Sequence, residues 1–129
     1  MTTKSAFISF DYDNDKDIYG SLLAQLEDPS LAFRVKNWSL KEPITEKWKE
    51  EVRDRIRRVD LTIVLCGEHT DQADGVAAEV TIIHEVGKPY FLLQGRRRKP
   101  CKKPRNARKT DEMHKWSQKN LKKLISQAG

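Results

Sequence analysis

Apolar positions along the chain fall into two kinds of run. Four short, nearly continuous apolar stretches, "SAFISF" (5–10), "LAFRVKNW" (31–38), "DLTIVLCG" (60–67) and "KPYFLLQG" (88–95), read as strands. The segments between them repeat their apolar residues at three to four and read as helices. Helix 16–27 turns Ile18, Leu22, Leu23 and Leu26 inward behind Asp15 as a cap. Helix 46–58 does so with Trp48, Val52, Ile56 and Val59 behind Thr45. A third helix over 75–86 is stopped by Gly87, with Pro89 just beyond. A fourth is expected over 111–126 behind Thr110, with Met113, Trp116, Leu121, Leu124 and Ile125 as its apolar anchors. The order βαβαβαβα predicts one α/β domain over 1–129: a flavodoxin-like, doubly wound sandwich around a mostly parallel sheet. The predicted strand order is 2-1-3-4. Arg34 and Lys36 suit the second strand to an edge.

One helix breaks its own pattern. In "GVAAEVTIIHEVGKP" a helical wheel at about 100° per residue places Glu79 within the apolar stripe. With Glu79 at zero, Val76 falls at about +60°, Ile83 at about +40°, Val86 at about −20° and Ile82 at about −60°, whereas Glu85 lies at about −120° with the solvated charges. Carboxylates are seldom buried without a partner. Glu79 therefore either pairs with a buried arginine, such as Arg34 or Arg53, or faces a cleft. The cleft reading has a natural place, because ligands of open α/β sheets bind beyond the carboxyl ends of the strands. Those ends are Phe10–Asp15, Asn37–Pro43, Gly67–Asp74 and Gln94 onward.

The formal net charge of +6 comes from one local feature. Residues 96–109, "RRRKPCKKPRNARK", hold nine Lys/Arg and no acid, which leaves the remainder at −3. This segment reads as an extended, mobile and solvated loop that Pro100 and Pro104 keep from forming a helix. An anionic partner, either nucleic acid or the phosphates of a nucleotide, is the alternative. No aromatic residues are interleaved there to stack bases, which argues against nucleic acid. No apolar run has the length of a membrane span, the first residues lack a signal peptide's pattern, and the only cysteines, Cys66 and Cys101, form no metal-type pair. The expectation is a reduced, cytoplasmic protein without a membrane partner. "DYDNDKD" fails as an EF-hand, with Lys16 and Leu22 at the positions of its glycine and terminal glutamate. A phosphoaccepting receiver would need an aspartate at the end of the third strand, where Cys66 and Gly67 stand. There is no GxGxxG and no Walker A loop. His69, His84 and His114 show no metal-ligand spacing.

With the strands placed, "AFISFDYDND", "NWSLKEPI", "LTIVLCGEHT" and "VAAEVTIIHEVGKPYFLL" together resemble the TIR-like proteins, small prokaryotic relatives of Toll/interleukin-1 receptor domains that include the TIR-like component of Thoeris anti-phage systems. The resemblance covers residues 5–95. It implies a flavodoxin-like fold and cleavage of NAD+ at the nicotinamide–ribose bond, with NAD+ as substrate and with neither cofactor nor metal. By position it implies Glu79 as the catalytic glutamate. It places Phe10, Asp11, Asn37, Ser39, His69 and Thr70 around the substrate, and it implies self-association or a partner protein. Two other readings stay open: a non-catalytic interaction module in signal transduction, and a nucleoside deoxyribosyltransferase-like enzyme.

Overall fold

The computed structural model describes residues 4–28, 33–39 and 44–127, with the backbone alone for Lys36, Asn37 and Trp38. The elements run β1 (Lys4–Ser9), α1 (Lys16–Leu26), β2 (Phe33–Trp38), α2 (Glu46–Arg57), β3 (Leu61–Cys66), α3 (Asp74–Val86), β4 (Tyr90–Gln94), β5 (Met113–Lys115) and α4 (Gln118–Gln127). All strand pairs are parallel, in the order β2-β1-β3-β4-β5. The flavodoxin-like sandwich and the order of the first four strands are as the sequence predicts.

The period of two along each strand divides the core. Ala6, Ile8, Leu61, Ile63, Leu65, Phe91 and Leu93 pack with Ile18, Leu22 and Leu26 of α1 and Leu121 and Ile125 of α4. On the other face Phe7, Val64, Cys66 and Leu92 pack with Trp48, Val52 and Ile56 of α2 and Val76, Val80 and Ile83 of α3. Thr45 caps α2, its Oγ1 accepting from Trp48 N at 3.1 Å. Gly87 ends α3 in the left-handed conformation, φ 74°, as a C-cap glycine does.

The C-terminal third departs from the predicted helix over 111–126. Met113–Lys115 is instead a fifth strand, pairing Leu92 with Met113 and Gln94 with Lys115. Without it β4 would leave its ladder groups unpaired at a sheet edge. The helix starts later, behind Ser117, whose Oγ accepts from Asn120 N at 3.1 Å, and Thr110 caps nothing there. Trp116 is not a helix anchor; its Nε1 donates to Gln25 Oε1 of α1.

The basic segment is likewise docked, not solvated throughout. Lys102 N donates to Gly67 O at 2.9 Å. Asn106 Nδ2 donates to Ala77 O and Thr81 Oγ1 on α3, each at 2.7 Å. Cys101 and Ala107 pack against the α2–α3 side of the core. The segment thus occupies the place of a crossover helix between β4 and β5. Its charged side chains hide the few small residues that hold it. Among the described residues no helix is long and apolar enough to cross a membrane.

Candidate functional site

From β1 the chain steps outward to β2, then returns past β1 to β3. The switch point of the sheet therefore lies between the carboxyl ends of β1 and β3. A cavity of 760 Å³ opens there, and Glu79 lines it. Alternation along β1 turns Ser9 to the α3 face, the same side as Phe7. Its Oγ donates to Glu79 Oε1 at 2.7 Å. Ser39, just past β2, donates to the same oxygen at 2.6 Å, while its own Oγ accepts from Phe10 N at 3.1 Å. Ser39 N is fixed in turn by Ile8 O at 3.0 Å.

Glu79 is only 1% exposed, yet among the described residues Oε2 has no hydrogen-bond partner. Burial pushes its carboxyl up to about 7, against the lowering effect of the Ser39 and Ser9 hydroxyls. No arginine answers it. Arg53, one of the two partners considered from sequence, reaches Glu85 at 3.1 Å instead, and among the described residues Glu79 bonds only to serines. The buried-pair reading is thereby replaced by a carboxylate with one oxygen held by two hydroxyls and the other without a partner among the described residues. A second unsatisfied group sits on a residue of the same lining: Trp48 is 2% exposed, and its buried Nε1–H has no acceptor among the described residues.

The other residues singled out from sequence separate into three groups. Phe10, Asp11, Ser39 and His69 line the cavity with Glu79. Phe10 stacks on Tyr19 at 4.5 Å between centroids and on Tyr12 at 5.8 Å. Asp11 shapes the loop after β1, accepting from Asp13 N at 3.2 Å and Asn14 Nδ2 at 2.7 Å. Thr70 is not among the lining residues; it is buried, and its Oγ1 accepts from Gly67 N at 2.7 Å, fixing the turn after β3. The side chain of Asn37 lies outside the described residues. Sequence reasoning did not name Ser9, Tyr12, Trp48 or Gln72 for the site. Ser9 carried a signal, as the one polar residue inside "AFISF" on the strand face that alternation turns to α3. Among the described residues no three His, Cys, Asp or Glu side chains come together to hold a metal.

The loop after β1 is clamped from the basic segment. The Arg96 guanidinium donates to Asp17 at 2.8 and 3.0 Å, to Asp15 Oδ1 at 3.2 Å and to Asn14 O at 3.1 Å. Asp15 is 1% exposed and lies against Gly67, where a Cβ would come within 2.3 Å of its carboxylate oxygens. Burial raises the Asp15 carboxyl above its ordinary range, and Arg96 pulls it back. Arg96→Gln should therefore lower stability by about 3 kcal/mol, because it strands a buried acid. Arg97→Gln with Arg98→Gln should change it by less than about 0.5 kcal/mol. Urea unfolding of both variants checks this, and equal midpoints would remove the clamp.

A parallel sheet in this order, with the Glu79 carboxylate buried at its switch-point cavity, has the architecture of a TIR-like domain. A family model described as "Thoeris protein ThsB, TIR-like domain" matches residues 7–99, and the chain belongs to that family. No curated protein matches the chain. The matched span includes every lining residue of the cavity; β5, α4 and most of the basic segment lie beyond it.

Proposed function

We propose that the chain cleaves the nicotinamide–ribose bond of NAD+ and so generates an ADP-ribose-type signal in prokaryotic defence or stress. The observation that carries this reading is Glu79: a buried carboxylate lining a 760 Å³ cavity, with Oε1 held by two hydroxyls and Oε2 without a partner among the described residues.

The chemistry suits a single carboxylate. The C1′–N bond breaks with both electrons passing to the pyridinium nitrogen, so nicotinamide departs neutral and no general acid is required. The barrier lies in the positive charge that develops on the ribose, as in glycoside hydrolysis. An ionised Glu79 beside the ring stabilises that charge, and its own burial strengthens the interaction. Its free oxygen also accepts from ribose hydroxyls. Ser9 and Ser39 fix the carboxylate so that little reorganisation is needed. The bound pyridinium, itself cationic, draws the Glu79 pKa down toward the ionised form. The ribosyl cation is then captured by an acceptor that gives up a proton: water yields ADP-ribose, an internal hydroxyl or ring nitrogen a cyclic isomer, and an external nucleophile a conjugate.

Chromatography of NAD+ incubated with the protein over a dilution series tests the reading. Nicotinamide should appear, with a specific activity that rises with protein concentration if the site is completed by self-association. An absence of nicotinamide at every concentration would leave the TIR-like fold with a non-catalytic role in assembly.

A further inference from the structure

The cavity has an electrostatic mismatch with the dinucleotide assigned to it. Asp11, Asp13, Asp74 and Glu79 line it, and among the described lining residues there is no lysine or arginine. A pyrophosphate carries two negative charges and needs a counter-charge from outside that lining.

Resting on the reading of the cavity as a nicotinamide dinucleotide site, we infer that Arg105, the first turn of α3 and Trp48 Nε1 together form the subsite for the pyrophosphate. Four observations support this. First, the Arg105 guanidinium reaches the rim, pairing with Asp74 Oδ1 at 2.9 Å. It is held there because its neighbour Asn106 is bonded to Ala77 O and Thr81 Oγ1, and because Ala107 N closes a turn on Pro104 O at 3.0 Å. Second, α3 is a 13-residue helix whose start has no side-chain cap, and Ala73, Asp74, Gly75 and Val76 all line the cavity. The first backbone donor of the helix with an internal acceptor is Ala77 N, bonded to Ala73 O at 3.1 Å. Free N–H groups at a helix start, with the helix dipole behind them, favour phosphate. Third, Trp48, which lines the same cavity, carries a buried Nε1–H that is a donor only and finds no acceptor among the described residues.

The fourth observation is spacing. Gly75 precedes Glu79 by four residues on one helix face, about 6 Å along the axis at 1.5 Å per residue. That matches the reach of a ribose 5′-phosphate from its anomeric carbon to its phosphorus. With Glu79 beside the ribose, the phosphate falls at the first turn. Gly75 leaves that turn open, since a Cβ there would meet nothing within 4 Å. Arg105 offsets Asp74 in the empty site and is shared with the phosphate in the filled one.

Calorimetric titration of the full chain with ADP-ribose and with nicotinamide riboside, which lacks phosphate, tests the inference. Wild type should bind ADP-ribose more tightly, with an affinity that falls as salt rises. Arg105→Gln should weaken ADP-ribose about tenfold, the size of one charge-assisted contact. Trp48→Phe should weaken it in the same direction while keeping the ring, and Arg105→Gln should leave nicotinamide riboside binding unchanged. An unaltered ADP-ribose affinity in Arg105→Gln overturns the inference, as does a wild type that does not bind ADP-ribose. The two readings fail separately. Arg105-dependent ADP-ribose binding without NAD+ turnover would sink the catalytic reading alone. Turnover with Arg105-independent binding would sink the subsite alone.

Discussion

Glu79→Gln should abolish nicotinamide release, a loss of about 10³-fold or more, and yet unfold at higher temperature than wild type above neutral pH. The two effects share one cause. The amide can accept from Ser9 and Ser39 as the carboxylate does, but it cannot carry the charge that faces the developing ribosyl cation. The stability gain follows from linkage. The folded carboxyl is pushed up from 4.5 to about 7, so between those values the folded chain holds a proton that the unfolded chain has released. Wild-type stability therefore falls as pH rises through that window and levels off beyond it. The glutamine does not titrate. The gap between the two proteins should widen from about pH 4.5 to about pH 7, reaching roughly 3 kcal/mol. Thermal unfolding across pH 4 to 8 measures it. Melting curves that shift in parallel at every pH would show that Glu79 carries no such cost.

Removing the serine hydroxyls should act in the opposite sense on the same group. Each donates to Glu79 Oε1 and lowers its pKa against the effect of burial. A hydrogen bond to a charged group is worth about 1.5–3 kcal/mol, so losing one should raise the pKa by about 1–2. The acid limb of the kcat/KM profile should move to higher pH in Ser9→Ala and Ser39→Ala, with activity recovered in part at alkaline pH. Ser39→Ala should also cost stability, since Phe10 N loses its buried acceptor. Profiles of unchanged midpoint, merely scaled down, would mean that the serines position the loops without tuning the carboxylate.

The first four strands, their order and the first three helices were legible because each is amphipathic or apolar over its full length. Glu79 was legible for a related reason: a charge inside an apolar stripe is visible on a wheel. Its partners were less so. Ser9 and Ser39 meet it only once β1, β2 and α3 are packed, 70 and 40 residues apart from it in the chain. Ser39 came into view through family resemblance, and Ser9 had only strand alternation to point to it. Trp48 looked like one more apolar helix position, and its unpartnered Nε1 shows only against the cavity. The C-terminal third was misread for two physical reasons. β5 is three residues long and exists because β4 offers an edge. The basic run hides Cys101, Asn106 and Ala107, small residues whose contacts with α3 and the core dock the whole segment.

If Glu79 makes this cavity a site for breaking the nicotinamide–ribose bond, the chemistry must stop when its charge is removed. Product analysis after incubating concentrated wild type and concentrated Glu79→Gln with NAD+ under identical conditions decides this. Wild type should release nicotinamide in amounts equal to the NAD+ consumed, with one ADP-ribose-type product beside it, and a folded Glu79→Gln should give neither. Equal nicotinamide release by both proteins, or none from wild type at any concentration, would contradict it.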